Sequence, residues 1–331
     1  MAPGTARMNS KPRIAITPGD PCGIGPEVVA KALATNQPHE VCRPVVVGNV
    51  AAMQQGIEIA GADLRLSSIA DLDECTGEPG TIEVLDSGAL DPADIELGVA
   101  KAECGRANGV WLAEAAELAL AGQVAASVMA PVNAEALIKG GAVGQIIGTD
   151  PTQRYLTLLS GPLRVVHVFD HVMLEDVCRD ISIELVLGAI QKTHSSLVGW
   201  GIPKPRLGVA GLNPHAQGPQ ERDAIGPAVE QAVREGIDAS GPTSPDTVFR
   251  QCIDGRYDVV VAMCHDQGHI AIKTWGFVGN CAMFLGAPYL FMSVGHGTAF
   301  DIVGRGVANH EMILAAILQG ASLACGRGFL D

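Results

Sequence analysis

The sequence predicts an α/β fold, with short apolar strands alternating with amphipathic helices around a largely parallel sheet. Three observations carry that expectation. The 331 residues are 47% hydrophobic but only 4% aromatic, an aliphatic composition suited to strands buried on both faces. Strand-like and helical segments alternate along the chain rather than falling into separate blocks. Forty glycines and twenty prolines supply the many tight turns that such alternation needs.

The elements follow in order. Arg13 to Thr17 reads as a strand that runs into the turn Gly19-Asp20-Pro21-Cys22-Gly23-Ile24-Gly25. A helix from Pro26 to Ala34 comes next, with proline in the first turn, where its missing N–H is not needed. Pro44 to Gly48 is a second strand. Glu96 to Gly122 reads as a helical segment broken near Gly105 and Gly109. Ala125 to Ala130 is a strand ending in Pro131-Val132-Asn133. Three more strands fall at 163–169, 206–212 and 257–263. Helical patterns over Leu174–Trp200, Arg222–Glu235 and Ser244–Asp254 lie among them. Pro288 to Val294 is a late strand, and Asn309 to Gly320 a closing helix. Residues 1–11 read as a disordered extension without the apolar core of a signal peptide.

The last three strands before Pro288 share one feature. Each delivers a histidine one to three residues past its apolar run: His171, His215 and His265. In open α/β sheets ligands bind beyond the carboxyl ends of the strands. Three imidazoles arriving there can share one divalent metal and leave positions open for substrate. Taken singly, each histidine reads equally well as a surface or core residue. His215 and His265 sit in polar stretches that read as helix-poor. His167, inside its strand, reads as core; His39, His194 and His310 read as surface residues; His269 and His296 are candidates to line a cleft.

Composition narrows the function classes. A net charge of −14 argues against nucleic-acid or anionic-membrane binding, which needs clustered cations. No apolar run approaches the ~20 residues of a membrane span. Nine scattered cysteines without a Cys-x-x-Cys pair speak against a disulfide framework or zinc ribbon, and for reduced thiols in a cytoplasmic protein. The glycine-rich turn is not a dinucleotide fingerprint, because no acidic residue ends the following strand. Asp20 and Glu27 stand near it, and a plain structural turn is the competing reading. Lys273, in an apolar stretch eight residues past His265, reads either as a snorkelling surface lysine or as a cation facing a substrate carboxylate.

The motifs Gly19-Asp20-Pro21-Cys22-Gly23-Ile24-Gly25-Pro26-Glu27, Ala130-Pro131-Val132-Asn133, Leu212-Asn213-Pro214-His215-Ala216, His265-Asp266-Gln267-Gly268 and His296-Gly297-Thr298-Ala299 resemble the 4-hydroxythreonine-4-phosphate dehydrogenase (PdxA-like) family from about Ile14 onward. The resemblance implies an isocitrate/isopropylmalate-dehydrogenase-like fold of two α/β lobes with a cleft between them. The first lobe would comprise 12–138 plus 298–331. The second, 139–297, would carry the metal ligands and the dimer interface. It further implies NAD as oxidant and a homodimer with shared active sites. One divalent metal, zinc first, with iron, cobalt, nickel, manganese or magnesium as alternatives, would sit on His171, His215 and His265. Lys273 and Asp266 become the candidate catalytic residues, Thr149, Lys273 and Arg154 the candidate substrate-binding residues. Gly295, His296, Gly297, Thr298 and Asp301 are the candidate cofactor-binding residues.

The chain departs from the family where the phosphate would be held. Gly148 replaces a histidine beside Thr149. Ala282 and Phe291 replace an asparagine and an arginine, Gly295 an aspartate, and Ala134 a lysine. Losing a guanidinium fork removes a group suited to a phosphate ester. His265-Asp266-Gln267-Gly268-His269-Ile270 and Ser293-Val294-Gly295-His296-Gly297 resemble the terephthalate cis-dihydrodiol dehydrogenase branch. The leading expectation is therefore oxidation of a secondary alcohol next to a carboxylate-bearing carbon, followed by decarboxylation, converting terephthalate cis-dihydrodiol to protocatechuate. The alternatives are 4-hydroxythreonine 4-phosphate or a sugar-acid phosphate as substrate, and a non-catalytic metabolite sensor.

Overall fold

The computed structural model describes residues 11–145 and 154–331, so the expected extension at 1–11 falls almost wholly outside the described residues. The chain opens with β1 (Arg13–Thr17), α1 (Gly25–Leu33), α2 (Gln37–Val41), β2 (Arg43–Val47) and α3 (Val50–Ala60). Pro26 sits in the first turn of α1. Asn49 caps α3 by accepting from the Ala52 N–H at 3.0 Å. β3 (Arg65–Ile69), β4 (Thr81–Leu85), α4 (Ala102–Leu120), β5 (Ala126–Met129) and α5 (Ala134–Gly140) follow. Next come β6 (Tyr155–Ser160), β7 (Leu163–Phe169), α6 (Leu174–Asp180), α7 (Ile183–Gly199), β8 (Leu207–Ala210), α8 (Gly226–Arg234), β9 (Ala239–Thr243) and α9 (Val248–Ile253). The chain closes with β10 (Val259–Cys264), α10 (His265–Trp275), β11 (Cys281–Leu285), β12 (Phe291–Val294) and α11 (Glu311–Ala324).

All twelve strands join one sheet in the order β3-β4-β2-β1-β5-β12-β11-β6-β7-β10-β8-β9. Side chains alternate between its faces. Ile14, Ile16, Val261 and Met263 pack into a cluster that runs along one face with α1, α7, α8 and α11. Ala15 packs with α4 on the other face, and Val260 and Ala262 pack there with α9 and α10. Apolar packing on that second face is divided into separate clusters.

The sheet is not uniformly parallel. β6 and β11 pair antiparallel to each other and to their outer neighbours β7 and β12, while β1, β2, β5 and β12 form parallel ladders on one side. β7, β10 and β8 form parallel ladders on the other. The carboxyl ends of β7, β10 and β8 therefore emerge at the opposite end of the strands from those of β1, β5 and β12.

Several boundaries differ from expectation for identifiable reasons. α4 runs unbroken through Gly105 and Gly109. Gly105 is there because α5 lies so close that a Cβ would meet the Ala136 carbonyl oxygen; the glycine serves packing, not a break. The stretch 174–200 is two helices, with Ser182 capping α7 through Leu185. The 222–235 helix begins with a π-turn at Glu221–Ile225, and the 244–254 helix is shortened to α9. His265 to His269, read as helix-poor, is the first turn of α10. His39, read as a surface residue, is 2% exposed, its ring nitrogens each 3.1 Å from a carbonyl oxygen, of Gly77 and of Leu33.

Candidate metal and substrate site

The three histidine-bearing strands are neighbours. Val260 of β10 lies level with Val165 of β7 on one side and Gly208 of β8 on the other. At about 4.8 Å between strands, the three strand ends form a row ~10 Å across. His265 follows β10 directly and is the first residue of α10. His171 follows β7 in a left-handed conformation (φ 22°), and His215 lies in a 3₁₀ turn after β8, also left-handed (φ 56°).

Two of the three come together. The His171 and His265 rings are 5.1 Å apart. Their nitrogens and the Asp170 carboxylate all lie within 4.8 Å of one another. His171 Nδ1 is 2.8 Å from Asp170 Oδ1, and His265 Nδ1 is 2.8 Å from Asp266 Oδ1. Each carboxylate takes an Nδ1–H and leaves the Nε2 lone pair outward, the arrangement that orients metal-binding imidazoles. His215 is exposed and stands outside this cluster. It is near Asp246, whose carboxyl is held below the ordinary carboxylate range chiefly by Ser244, donating at 2.6 Å. Asp246, Asp266, His171 and His265 share the wall of a cavity of about 620 Å³. The donor set of imidazoles and carboxylates suits a borderline divalent cation.

Behind His265 stands a second pair of imidazoles. His269 stacks on His265 with centroids 3.6 Å apart and planes at 14°, and its Nδ1 bonds the His265 carbonyl at 3.1 Å. His167, fully buried, lies 4.9 Å from His269 and bonds the Leu156 carbonyl through Nδ1 at 2.8 Å. Burial pushes both His167 and His269 down to about 4, so both are neutral near pH 7. The four-residue spacing of His265, His269 and Lys273 places them along one face of α10. Lys273 is exposed and, at eight residues, stands about 12 Å along the axis from His265. Within one chain its backbone is thus set away from that of His265, while its charge reaches His269.

Of the other expected substrate residues, Thr149 lies outside the described residues, as does Gly148. The Arg154 guanidinium stands 5.7 Å over the Phe284 ring. Phe284 in turn lies 6.1 Å from Phe291, and Tyr289 meets Phe291 edge-on at 6.2 Å. Ala282 and Phe291 are buried in the sheet.

The remaining motifs meet at the other end of the strands. The Ile24 N–H donates to the Thr298 carbonyl at 3.1 Å and the Asp20 N–H to the Pro131 carbonyl at 3.0 Å. Asn133 donates to Thr298 Oγ1 at 3.3 Å. A mainly apolar cavity of about 330 Å³ takes His296 and Gly297 with Ile24, Ala299 and Met312. Thr298 is turned inward and buried, and neither Gly295 nor Asp301 lines that cavity. The sequence reading missed Asp170, Asp246 and the stacking role of His269. The His265/His269 spacing was the available signal, hidden by the glycine between them.

The fold defines an α/β protein with a site at the carboxyl ends of adjacent parallel strands. The chain belongs to the PdxA family: the model of the pyridoxal phosphate biosynthetic protein PdxA matches residues 40–320. The chain is 45% identical over 325 residues to a Novosphingobium aromaticivorans relative, covering 98% of each chain. It is 40% identical over 334 residues to the 4-hydroxythreonine-4-phosphate dehydrogenase of Geobacter metallireducens, covering 97% of this chain and 98% of that protein. It is 38% identical over 331 residues to the D-threonate 4-phosphate dehydrogenase of Cupriavidus necator, with 96% and 98% covered. A crystal structure of a 4-hydroxythreonine-4-phosphate dehydrogenase from Burkholderia phymatum superposes with TM-score 0.84 at 37% identity over 95% of this chain and 99% of that one. A terephthalate 1,2-cis-dihydrodiol dehydrogenase from Burkholderia xenovorans LB400 is more distant, at TM-score 0.67 and 29% identity, over 97% and 100%. These likenesses back the phosphorylated-substrate alternative of the sequence reading better than its terephthalate expectation. The named relatives are dehydrogenases, which supports an oxidoreductase. Among the described residues no helix is long and apolar enough to cross a membrane.

Proposed function

We propose that this chain is an NAD- and divalent-metal-dependent dehydrogenase acting on a small phosphorylated β-hydroxy acid of the 4-hydroxythreonine 4-phosphate or D-threonate 4-phosphate type. The observation that carries the proposal is the delivery of His171, His265 and His215 by three adjacent parallel strands, in a chain that shares whole-length similarity with dehydrogenases of these two substrates. His171, His215 and His265 would hold the metal. When bound, it would supply Lewis acidity to the substrate hydroxyl and to the adjacent carboxylate. Asp170 and Asp266 keep the two paired imidazoles turned with Nε2 outward. Neutral His269 and His167 back the site without adding charge. The apolar cavity beside His296 is of a kind that would seat a flat heterocycle of the dinucleotide, whose hydride chemistry is the cofactor's own. Loss of CO₂ from the β-keto acid product would complete the reaction.

We read the two-lobe, isocitrate-dehydrogenase-like description and the homodimer as part of the same proposal. The strand reversal at β6 and β11 supports it. It sends the histidines and the His296 loop to opposite strand ends, so a second copy supplying Lys273 and the loop would complete the site.

Arg154 takes up the anion-binding role in this reading. It stands beside the aromatic wall in which Phe291 replaces the family's arginine, and a charge-assisted bond there is worth about 1.5–3 kcal/mol. Ala282 and Phe291 favour a second reading, in which the substrate is an unphosphorylated planar diol dicarboxylate such as terephthalate cis-dihydrodiol. NADH formation by metal-loaded protein decides between them. A higher kcat/KM for either 4-phosphorylated acid supports the first reading. A higher value for the cis-dihydrodiol replaces it with the second, and no turnover of any of them removes both.

A further inference from the structure

A second cluster of metal-binding side chains lies under the glycine-rich turn, away from the histidines. Cys22 Sγ and Cys104 Sγ are 3.4 Å apart. The two sulfurs and the Asp20 carboxylate all lie within 4.8 Å of one another. All three residues are 0% exposed. Asp20 Oδ1 accepts the Cys22 N–H at 2.9 Å, but Oδ2 has no partner. Protonation does not resolve this. Ionised, Oδ2 is a buried acceptor without a donor; protonated, it is a donor without an acceptor. The Glu96 N–H donates to Cys22 Sγ at 3.3 Å, a contact that favours thiolate.

We propose that Asp20, Cys22 and Cys104 hold a thiophilic divalent cation of the zinc type, in a structural site separate from the histidines. Such an ion gives the orphaned oxygen and both sulfurs a common partner. With Zn–S near 2.3 Å in tetrahedral geometry, two sulfurs lie about 3.8 Å apart. The observed 3.4 Å needs to open by only ~0.4 Å. A disulfide, at about 2.0 Å, needs it to close by roughly 1.4 Å between two fully packed segments. The Asp94 carbonyl, 3.7 Å from Cys104 Sγ, is a candidate for the fourth position.

The ion would tie the turn to α4. The same turn supports the late loop through the Ile24-to-Thr298 bond, so the ion would stiffen the platform beneath His296 and Gly297. With all three donors buried, the ion enters as the chain folds, and its binding free energy adds to stability.

The test uses the full chain with its two exposed thiols removed as Cys178→Ser and Cys325→Ser. It is reduced, stripped by chelator in denaturant and refolded with increasing Cd²⁺ alone. A sulfur-to-cadmium charge-transfer band in the near ultraviolet reads thiolate ligation, and its persistence in His265→Ala separates this cluster from Cys264, which lines the histidine cavity. The band should saturate at one Cd²⁺ per chain and persist in His265→Ala. It should vanish in Cys104→Ala, and Asp20→Asn should bind roughly tenfold or more weakly. If Cys104→Ala does not fold, the near-isosteric Asp20→Asn decides. Absence of the band, its survival in Cys104→Ala, unchanged affinity in Asp20→Asn, or a mass before reduction that is lower by the two hydrogens of a disulfide would each overturn the proposal.

Discussion

His171 and His215 occupy left-handed backbone, at φ 22° and 56°, where residues with a Cβ are uncommon and strain is held in place by the surrounding structure. Two strained histidines on the strand ends that flank β10 point to a site rather than to packing. Asp170 and Asp266 set the direction of the His171 and His265 rings. We expect Asp266→Asn, which keeps the shape but no longer draws the Nδ1 proton as strongly, to weaken metal binding about 10–100-fold. Competition with a chelator measures this, and an unchanged affinity would leave Asp266 without the orienting role. Arg154→Met should raise KM for a 4-phosphorylated acid by about tenfold or more, with a smaller change in kcat; equal KM would return Arg154 to a purely structural place over Phe284.

His167 makes a pH prediction. Its value in the folded chain is pushed by burial from the ordinary 6.5 down to about 4. The folded state therefore resists taking up a proton that the unfolded chain accepts. The associated stability is complete above pH 6.5 and is lost as pH falls towards 4, by about 3 kcal/mol in all. Unfolding free energy of the metal-free protein, measured in urea between these pH values, should fall less steeply in His167→Gln. An identical slope would show that His167 does not carry the effect.

Among the elements, α10 positions the site. It starts at His265, stacks His269 on it, and packs on β7 so closely that a Cβ at Gly268 would run into His167 Nε2. Gly268→Ala should therefore push α10 off the sheet, cost about 1–3 kcal/mol and lower metal affinity as His265 moves. Tm and metal titration read the two effects; a normal Tm with normal affinity would show that the helix sits less tightly than described. The same glycine explains why the sequence concealed this helix, since glycine in a polar His-Asp-Gln-Gly-His run reads as a loop. Strand ends carrying histidines were legible because buried apolar runs stop abruptly. The antiparallel β6 and β11 were not read as strands at all, and short apolar runs do not reveal strand direction. The separation of Lys273 from His265 follows from α10 and was invisible for the same reason as the helix itself.

For the whole molecule, strand direction sets the geometry of the site. With the histidine row and the His296 loop at opposite strand ends, we expect activity to require two copies of the chain. Mixing inactive His171→Ala and Lys273→Ala chains should restore part of the activity, because one of the two hybrid sites would then be intact. No recovery in exchanged heterodimers, or full activity of a monomer in sedimentation, would assign the complete site to one chain.

The central claim is that His171, His215 and His265 share one metal although only two of them touch in the isolated chain. Metal content of the three single alanine variants, measured after gel filtration alongside NADH formation, tests it most directly. Each variant should lose one equivalent of metal and its activity together, His215→Ala included. Full retention of metal by all three variants would contradict the account, and retention by His215→Ala alone would remove that residue from the site.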